Sequence, residues 1–211
     1  MDRTAFLFDL DGVVFDTEGQ YSEFWREMGV KYFSDGNVGA GIKGQTLRQI
    51  FDVYFPGNTT AQEDIRKALN DFESRMEYPY VPGVERFLEE LRTGGCPAAI
   101  VTSSDRSKMR NVYRAHPEIR SLFADIFTAE DFSRSKPAPD CYMLGMEVYG
   151  TLPERTFIFE DSFNGLQAAK DSGGKVIALA TTNSRSDVSP YAELVIDDFT
   201  GLTLPYLLQM L

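Results

Sequence analysis

Five short apolar runs punctuate the chain: AFLF at 5–8, AAIV at 98–101, TFIF at 156–159, KVIAL at 175–179 and ELVI at 193–196. They are continuous rather than alternating. Strands of that kind are buried on both faces, which predicts a parallel sheet. Helical periodicity fills the gaps. GVERFLEELRTGG (83–95) sets Val84, Phe87, Leu88 and Leu91 on one face and closes on Gly94 and Gly95, a helix stop. The segments 105–116, 140–150 and 164–173 suit helices as well. Strand–helix alternation from residue 81 onward predicts an α/β fold: an open, doubly wound, Rossmann-like parallel sheet.

Residues 18–78 break this rhythm. They carry helical stretches at 18–29, 45–55 and 61–78 and no convincing strand. The expected organisation is therefore a core formed by 1–16 and 81–211, with an α-helical insert at 17–80. The Pro-rich YPYVPG (78–83) would be one connection and residues 15–18 the other. GAGIKG (39–44) fits the dinucleotide-binding pattern G-x-G-x-x-G, but it follows no strand-like run and sits in the insert, so that use is not expected.

Composition narrows the partners. The formal net charge of −11 argues against nucleic acid or an anionic membrane, yet leaves room for a small anion in a locally basic pocket. No stretch approaches the roughly 20 apolar residues that cross a bilayer. The N-terminal apolar run is short and cut by Asp9, unlike a secretory signal. Cys96 and Cys141 have no CxxC spacing and read as reduced thiols, so a cytoplasmic location is expected. The single histidine, His116, precedes Pro117 and reads as a surface residue without ligand partners.

Chemistry collects where the strands end. Asp9 and Asp11 follow the first run, Thr102 and Ser103 the second, and Glu160 and Asp161 close the third; Lys136 lies in the loop SRSKPAPD. Ligands of open parallel sheets bind beyond the carboxyl ends of the strands. Several carboxylates in one place repel unless a cation lies among them, and oxygen donors without His or Cys favour a hard ion such as Mg²⁺. Each residue also has a plainer reading. Asp9 and Asp11 could cap a turn, Thr102 and Asp161-Ser162 could start helices, and Lys136 could be solvated. The spacing of two sends Asp9 and Asp11 the same way if Leu10 stays extended.

DLDGVVFDT, VTSS, KPAPD and FEDSFNG stand in the order of the four motifs of the haloacid dehalogenase superfamily. The chain resembles the β-phosphoglucomutase-like, sugar-phosphatase branch over its whole length, with the insert where that branch carries its helical cap. The resemblance implies Asp9 as nucleophile and Asp11 as general acid, then base. It implies Thr102, Ser103 and Lys136 around the phosphoryl group. The Asp9 carboxylate, the Asp11 backbone carbonyl and Asp161, with Glu160 beside it, would bind Mg²⁺. In the cap, Lys43, Gly44, Gln45 and Thr46 would read the substrate, together with Tyr21.

Asp11 favours phosphate-ester chemistry over dehalogenation. The cap His and Arg of β-phosphoglucomutases correspond to Tyr21 and Leu47, with Arg48 one residue off, which favours hydrolysis over mutation. The expected function is a Mg²⁺-dependent phosphatase acting on a small phosphorylated metabolite, a sugar phosphate first among candidates. The alternatives are a β-phosphoglucomutase and a non-catalytic phosphate-binding module.

Overall fold

The computed structural model describes residues 3–36, 42 and 45–211. Among these, six parallel strands form one sheet: β1 (Ala5–Phe8), β2 (Ala98–Val101), β3 (Asp125–Phe127), β4 (Thr156–Glu160), β5 (Lys175–Leu179) and β6 (Leu194–Ile196). Their order is β3-β2-β1-β4-β5-β6. The doubly wound α/β fold expected from the apolar runs is the one found. β3 was not expected. It is three residues long, begins with Asp125 and is only half-buried at the sheet edge, so it carries no apolar run to read.

The alternation of β1 explains why a strand with no polar face works. Phe6 and Phe8 point to one side and stack on Phe157 and Phe159 at ring-centroid distances of 5.2 and 4.4 Å. That side packs on α4 (Val84–Thr93), α5 (Arg106–Ala115) and α10 (Leu204–Leu208). Ala5 and Leu7 point to the other, covered by α7 (Asp140–Tyr149), α8 (Phe163–Asp171) and α9 (Arg185–Val188). Each fully buried Phe is worth about 1.5–3 kcal/mol. This burial, rather than the exposed i,i+3 ion pairs, holds the central strands together. A short α6 (Ile119–Leu122) completes the core.

Three further helices lie between β1 and α4: α1 (Glu18–Phe33), α2 (Leu47–Tyr54) and α3 (Thr59–Glu73). They share an apolar cluster of their own, built on Phe24, Trp25, Ile50, Phe51 and Ile65. The chain leaves and re-enters the core side by side. Phe15 and Tyr80 form an antiparallel bridge, and the Asp16 N–H donates to Pro79 O at 2.8 Å. α3 stops at Glu73, short of the expected 78, because Met76 and Tyr78 turn into the core. His116 sits at this crossing, half-buried against the Phe15 and Tyr80 rings, with Nδ1 2.7 Å from Glu118 Oε1. It is therefore a packing residue rather than a plain surface one. No helix among the described residues is long and apolar enough to cross a membrane.

Candidate active site

The strand order places β1 between β2 and β4, where the crossover direction reverses, so the ends of these three strands open into one crevice. A cavity of about 460 Å³ lies there. Its core wall includes Asp9, Asp11, Thr102, Ser103, Lys136 and Asp161. Its other wall comes from α1–α3 and their loops, including Tyr21, Gln45, Thr46 and Glu73. Lys43 and Gly44 lie outside the described residues.

Asp9 leaves β1 with its N–H on Phe159 O at 3.0 Å. Lys136 Nζ, itself 1% exposed, donates to Asp9 Oδ1 at 2.7 Å, Glu160 Oε1 at 2.5 Å and Val101 O at 3.1 Å. Those three acceptors use all three ammonium protons. Burial pushes the Asp9 carboxyl up to about 7 against the opposing pull of Lys136, and the Glu160 charge adds to the rise. Burial works against the charge on Lys136, but Asp9 and Glu160 outweigh it and hold Lys136 above the ordinary lysine value.

Glu160 lies beneath the cavity, fully buried. Its Oε1 also accepts from the Tyr142 hydroxyl at 2.7 Å. Its Oε2 accepts from the N–H groups of Asp161 and Ser162 at 3.0 and 3.2 Å, and from the Ser162 hydroxyl at 3.2 Å. Ser162 in turn caps α8 through Gly165 N–H. A Cβ at Gly165 would lie 1.8 Å from Glu160 Oε1, so a glycine is required for this helix to seat on the carboxylate.

Asp161 differs from its neighbour. Its Oδ2 accepts from the Thr182 hydroxyl, while Oδ1 is buried with no hydrogen-bond partner among the described residues. Burial raises its pKa well above the carboxylate range, with Glu160, Glu18 and Asp9 adding to the rise. Gly12 makes the close approach possible. It has φ of 75°, and a Cβ there would fall 2.0 Å from Asp161 Oδ2.

Carboxylate oxygens of Asp9, Glu160 and Asp161 lie within 4.8 Å of one another. An unpartnered buried oxygen in this cluster, where burial raises Asp9 and Asp161, fits a hard divalent cation, whose charge would reverse the penalty.

Asp11 lines the same cavity but has a different set of partners. Its Oδ1 accepts from Thr17 Oγ1 at 2.6 Å, and its Oδ2 accepts from Ser104 Oγ at 3.3 Å and from Lys108 Nζ. Thr102 Oγ1 accepts from Ser104 N–H at 3.0 Å, and the Ser103 hydroxyl is buried without a hydrogen-bond partner among the described residues. Thr46 forms a capping box with Gln49 at the start of α2, and Gln49 Nε2 reaches across to Lys136 O at 2.9 Å. Tyr21 donates to Glu73 Oε1 at 2.9 Å.

Lys108, Glu73, Thr17, Tyr142 and Thr182 went unnoticed in the sequence. Lys108 stands in the first turn of the helix that follows VTSS, but nothing local sets it apart from a helix-surface lysine.

Burial pushes the Glu73 carboxyl up to about 7, with Lys108 opposing. An unfolded glutamate titrates near 4.3. Between those values the folded chain keeps a proton that the unfolded chain loses, so Glu73's contribution to stability is lost as pH rises through about 7. Glu73→Gln stays neutral and can still accept from Tyr21. It is expected to stabilise the protein by roughly 3–4 kcal/mol at about pH 8 and by almost nothing at about pH 4. Thermal melts at both pH values check this; an equal effect at both would exclude ionisation as the cause.

Residues 6–179 match the family model of the haloacid dehalogenase-like hydrolases, and the chain belongs to that family. It is 31% identical over 181 residues to hexitol phosphatase A of Escherichia coli, covering 83% of this chain and 82% of that one. It is 26% identical over 212 residues to the bifunctional riboflavin kinase/FMN phosphatase of Arabidopsis thaliana. That match takes in 94% of this chain but 54% of the plant protein, so the chain spans about half of that relative's length. Its fold matches the β-phosphoglucomutase structure from Clostridium difficile with a TM-score of 0.80 at 20% identity, over 99% of this chain and 96% of that one.

Proposed function

We propose that the protein is a Mg²⁺-dependent phosphatase that hydrolyses small phosphorylated metabolites, sugar phosphates foremost, through an aspartyl-phosphate on Asp9. The observation that carries this reading is the pairing of Asp9 with the buried Lys136 at 2.7 Å, with a second aspartate, Asp11, on the same cavity. The likeness to hexitol phosphatase A supports the substrate class.

In this reading an Asp9 oxygen attacks phosphorus and the ester P–O bond breaks. The leaving oxygen takes its proton from Asp11. Asp11 then takes a proton from water, whose oxygen attacks the aspartyl-phosphate and frees inorganic phosphate and Asp9. Thr102 and Ser103 donate to the phosphoryl oxygens, and Lys136 supplies the positive charge beside them. Asp9, Asp161 and the Asp11 carbonyl would hold Mg²⁺, which when bound offsets the charge shared by phosphate and carboxylates. Both Glu160 oxygens are already taken by protein donors, so its part is to anchor Lys136 and the start of α8 rather than to bind the metal directly.

Residues 17–80 act as the cap and 1–16 with 81–211 as the core. The Gln49–Lys136 bond ties the cap over the site. Closure would exclude bulk water, and opening would release product. Lys43, Gly44, Gln45 and Thr46, with Tyr21, are its substrate-reading residues.

Phosphate release across a panel of phosphorylated metabolites tests the reading. Turnover is expected with Mg²⁺, to stop with EDTA and to return when Mg²⁺ is restored; indifference to EDTA would remove the metal. With β-glucose 1-phosphate and a bisphosphate activator, glucose 6-phosphate forming faster than free phosphate would make the protein a mutase.

A further inference from the structure

Lys108 belongs to none of the four motifs, yet it is 4% exposed and points into the site. Burying an ammonium costs several kcal/mol unless it is paired. Here the partners come from every side. Lys108 Nζ donates to Asp11 Oδ2 and lies 4.5 Å from the centroid of the Tyr21 ring. Glu73 of α3 fixes that ring in turn, accepting from the Tyr21 hydroxyl at 2.9 Å. Each motif-one aspartate thus has its own buried lysine: Lys136 for Asp9 and Lys108 for Asp11.

We propose that Lys108 is a positioning residue for Asp11, and that Tyr21 and Glu73 hold Lys108 in place from the cap side. The proposal rests on the reading of Asp11 as acid and base. Lys108, with Thr17 and Ser104, fixes the Asp11 carboxyl in the cavity wall. As Asp11 gives its proton to the leaving oxygen, a carboxylate forms beside a fixed cation. Lys108 keeps its own protons throughout. Because Tyr21 and Glu73 belong to α1 and α3, the clamp on Asp11 is complete only while these helices pack over α5.

The test is leaving-group dependence. In Lys108→Met, kcat/KM for the fastest sugar phosphate of the panel is expected to fall about 100-fold. For 2,4-dinitrophenyl phosphate, whose leaving group needs no proton, kcat/KM is expected to change by less than about threefold. The kcat on both esters should fall, because hydrolysis of the common aspartyl-phosphate also uses Asp11. Equal changes in kcat/KM on the two esters would overturn the proposal. Asp11→Asn, run in parallel, separates two failures. If it does not discriminate between the esters, the acid–base reading itself falls. If it discriminates and Lys108→Met does not, the Lys108 assignment alone falls. Should Lys108→Met not fold, the same ratio is read on Lys108→Gln, which keeps a donor toward Asp11 but removes the charge. A selective loss of about threefold or more on the sugar phosphate supports the clamp, and an unchanged ratio overturns it.

Discussion

Asp9→Asn is expected to lower phosphate release from both sugar and aryl phosphates by about 10⁴-fold or more while leaving the fold intact. The amide has nearly the shape of the carboxylate but no nucleophilic oxygen, so the covalent route is closed rather than slowed. The electrostatics favour a folded variant. Lys136 would still donate to Glu160 Oε1 and Val101 O, so the buried ammonium is not left unpaired. Burial already pushes the Asp9 carboxyl up to about 7, so the replaced charge was held at a cost. The melting temperature should therefore move little. Retained turnover on a generic aryl phosphate in a folded variant would show that another group attacks phosphorus. A complete loss together with unfolding would trace the effect to packing.

The core of this site was legible because its residues sit at strand ends, and strand ends are marked by apolar runs. AFLF, AAIV and TFIF announce where Asp9, Thr102 and Asp161 must lie, and the parallel topology brings them together. What went unread depends on contacts across long separations. Lys108 reads as an ordinary helix-surface lysine; only packing of α5 against α1 and α3 makes it a partner of Asp11. Glu160 and Asp161 look interchangeable in FED. The structure separates them: Glu160 ends β4 fully buried, with both oxygens on protein donors, while Asp161 turns out of the strand and leaves Oδ1 open. Residues 61–78 carry helical periodicity to the end, but Tyr78 donates to Glu73 O at 2.8 Å and stacks edge-on against Phe15, which draws the chain out of α3.

Lys136→Met should remove activity and also destabilise the protein, by about 3–5 kcal/mol near neutral pH. The two effects share one cause. Lys136 is the cation that Asp9 and Glu160 share, and it is 1% exposed, so water cannot take its place. Methionine fills the stem but leaves Asp9 and Glu160 without the cation they share, beside Asp161. A loss of that size is a large share of the roughly 5–15 kcal/mol that holds a domain folded. It also has a direction in pH. Without the ammonium the Asp9 carboxyl loses the pull that opposes its burial and favours protonation in the folded state still more strongly than in the unfolded chain, so protons stabilise the variant. The deficit relative to wild type should be largest at about pH 8 and shrink toward about pH 5, where the cluster takes up protons. Added Mg²⁺ should recover part of the lost melting temperature at about pH 8, because a divalent cation among the same oxygens would offset the same repulsion. Melts across this range, with and without Mg²⁺, separate charge from shape. A deficit constant in pH and blind to Mg²⁺ would mean that Lys136 acts by filling space. A deficit that closes with acid or metal ties the stability of this fold to the cation that its chemistry requires.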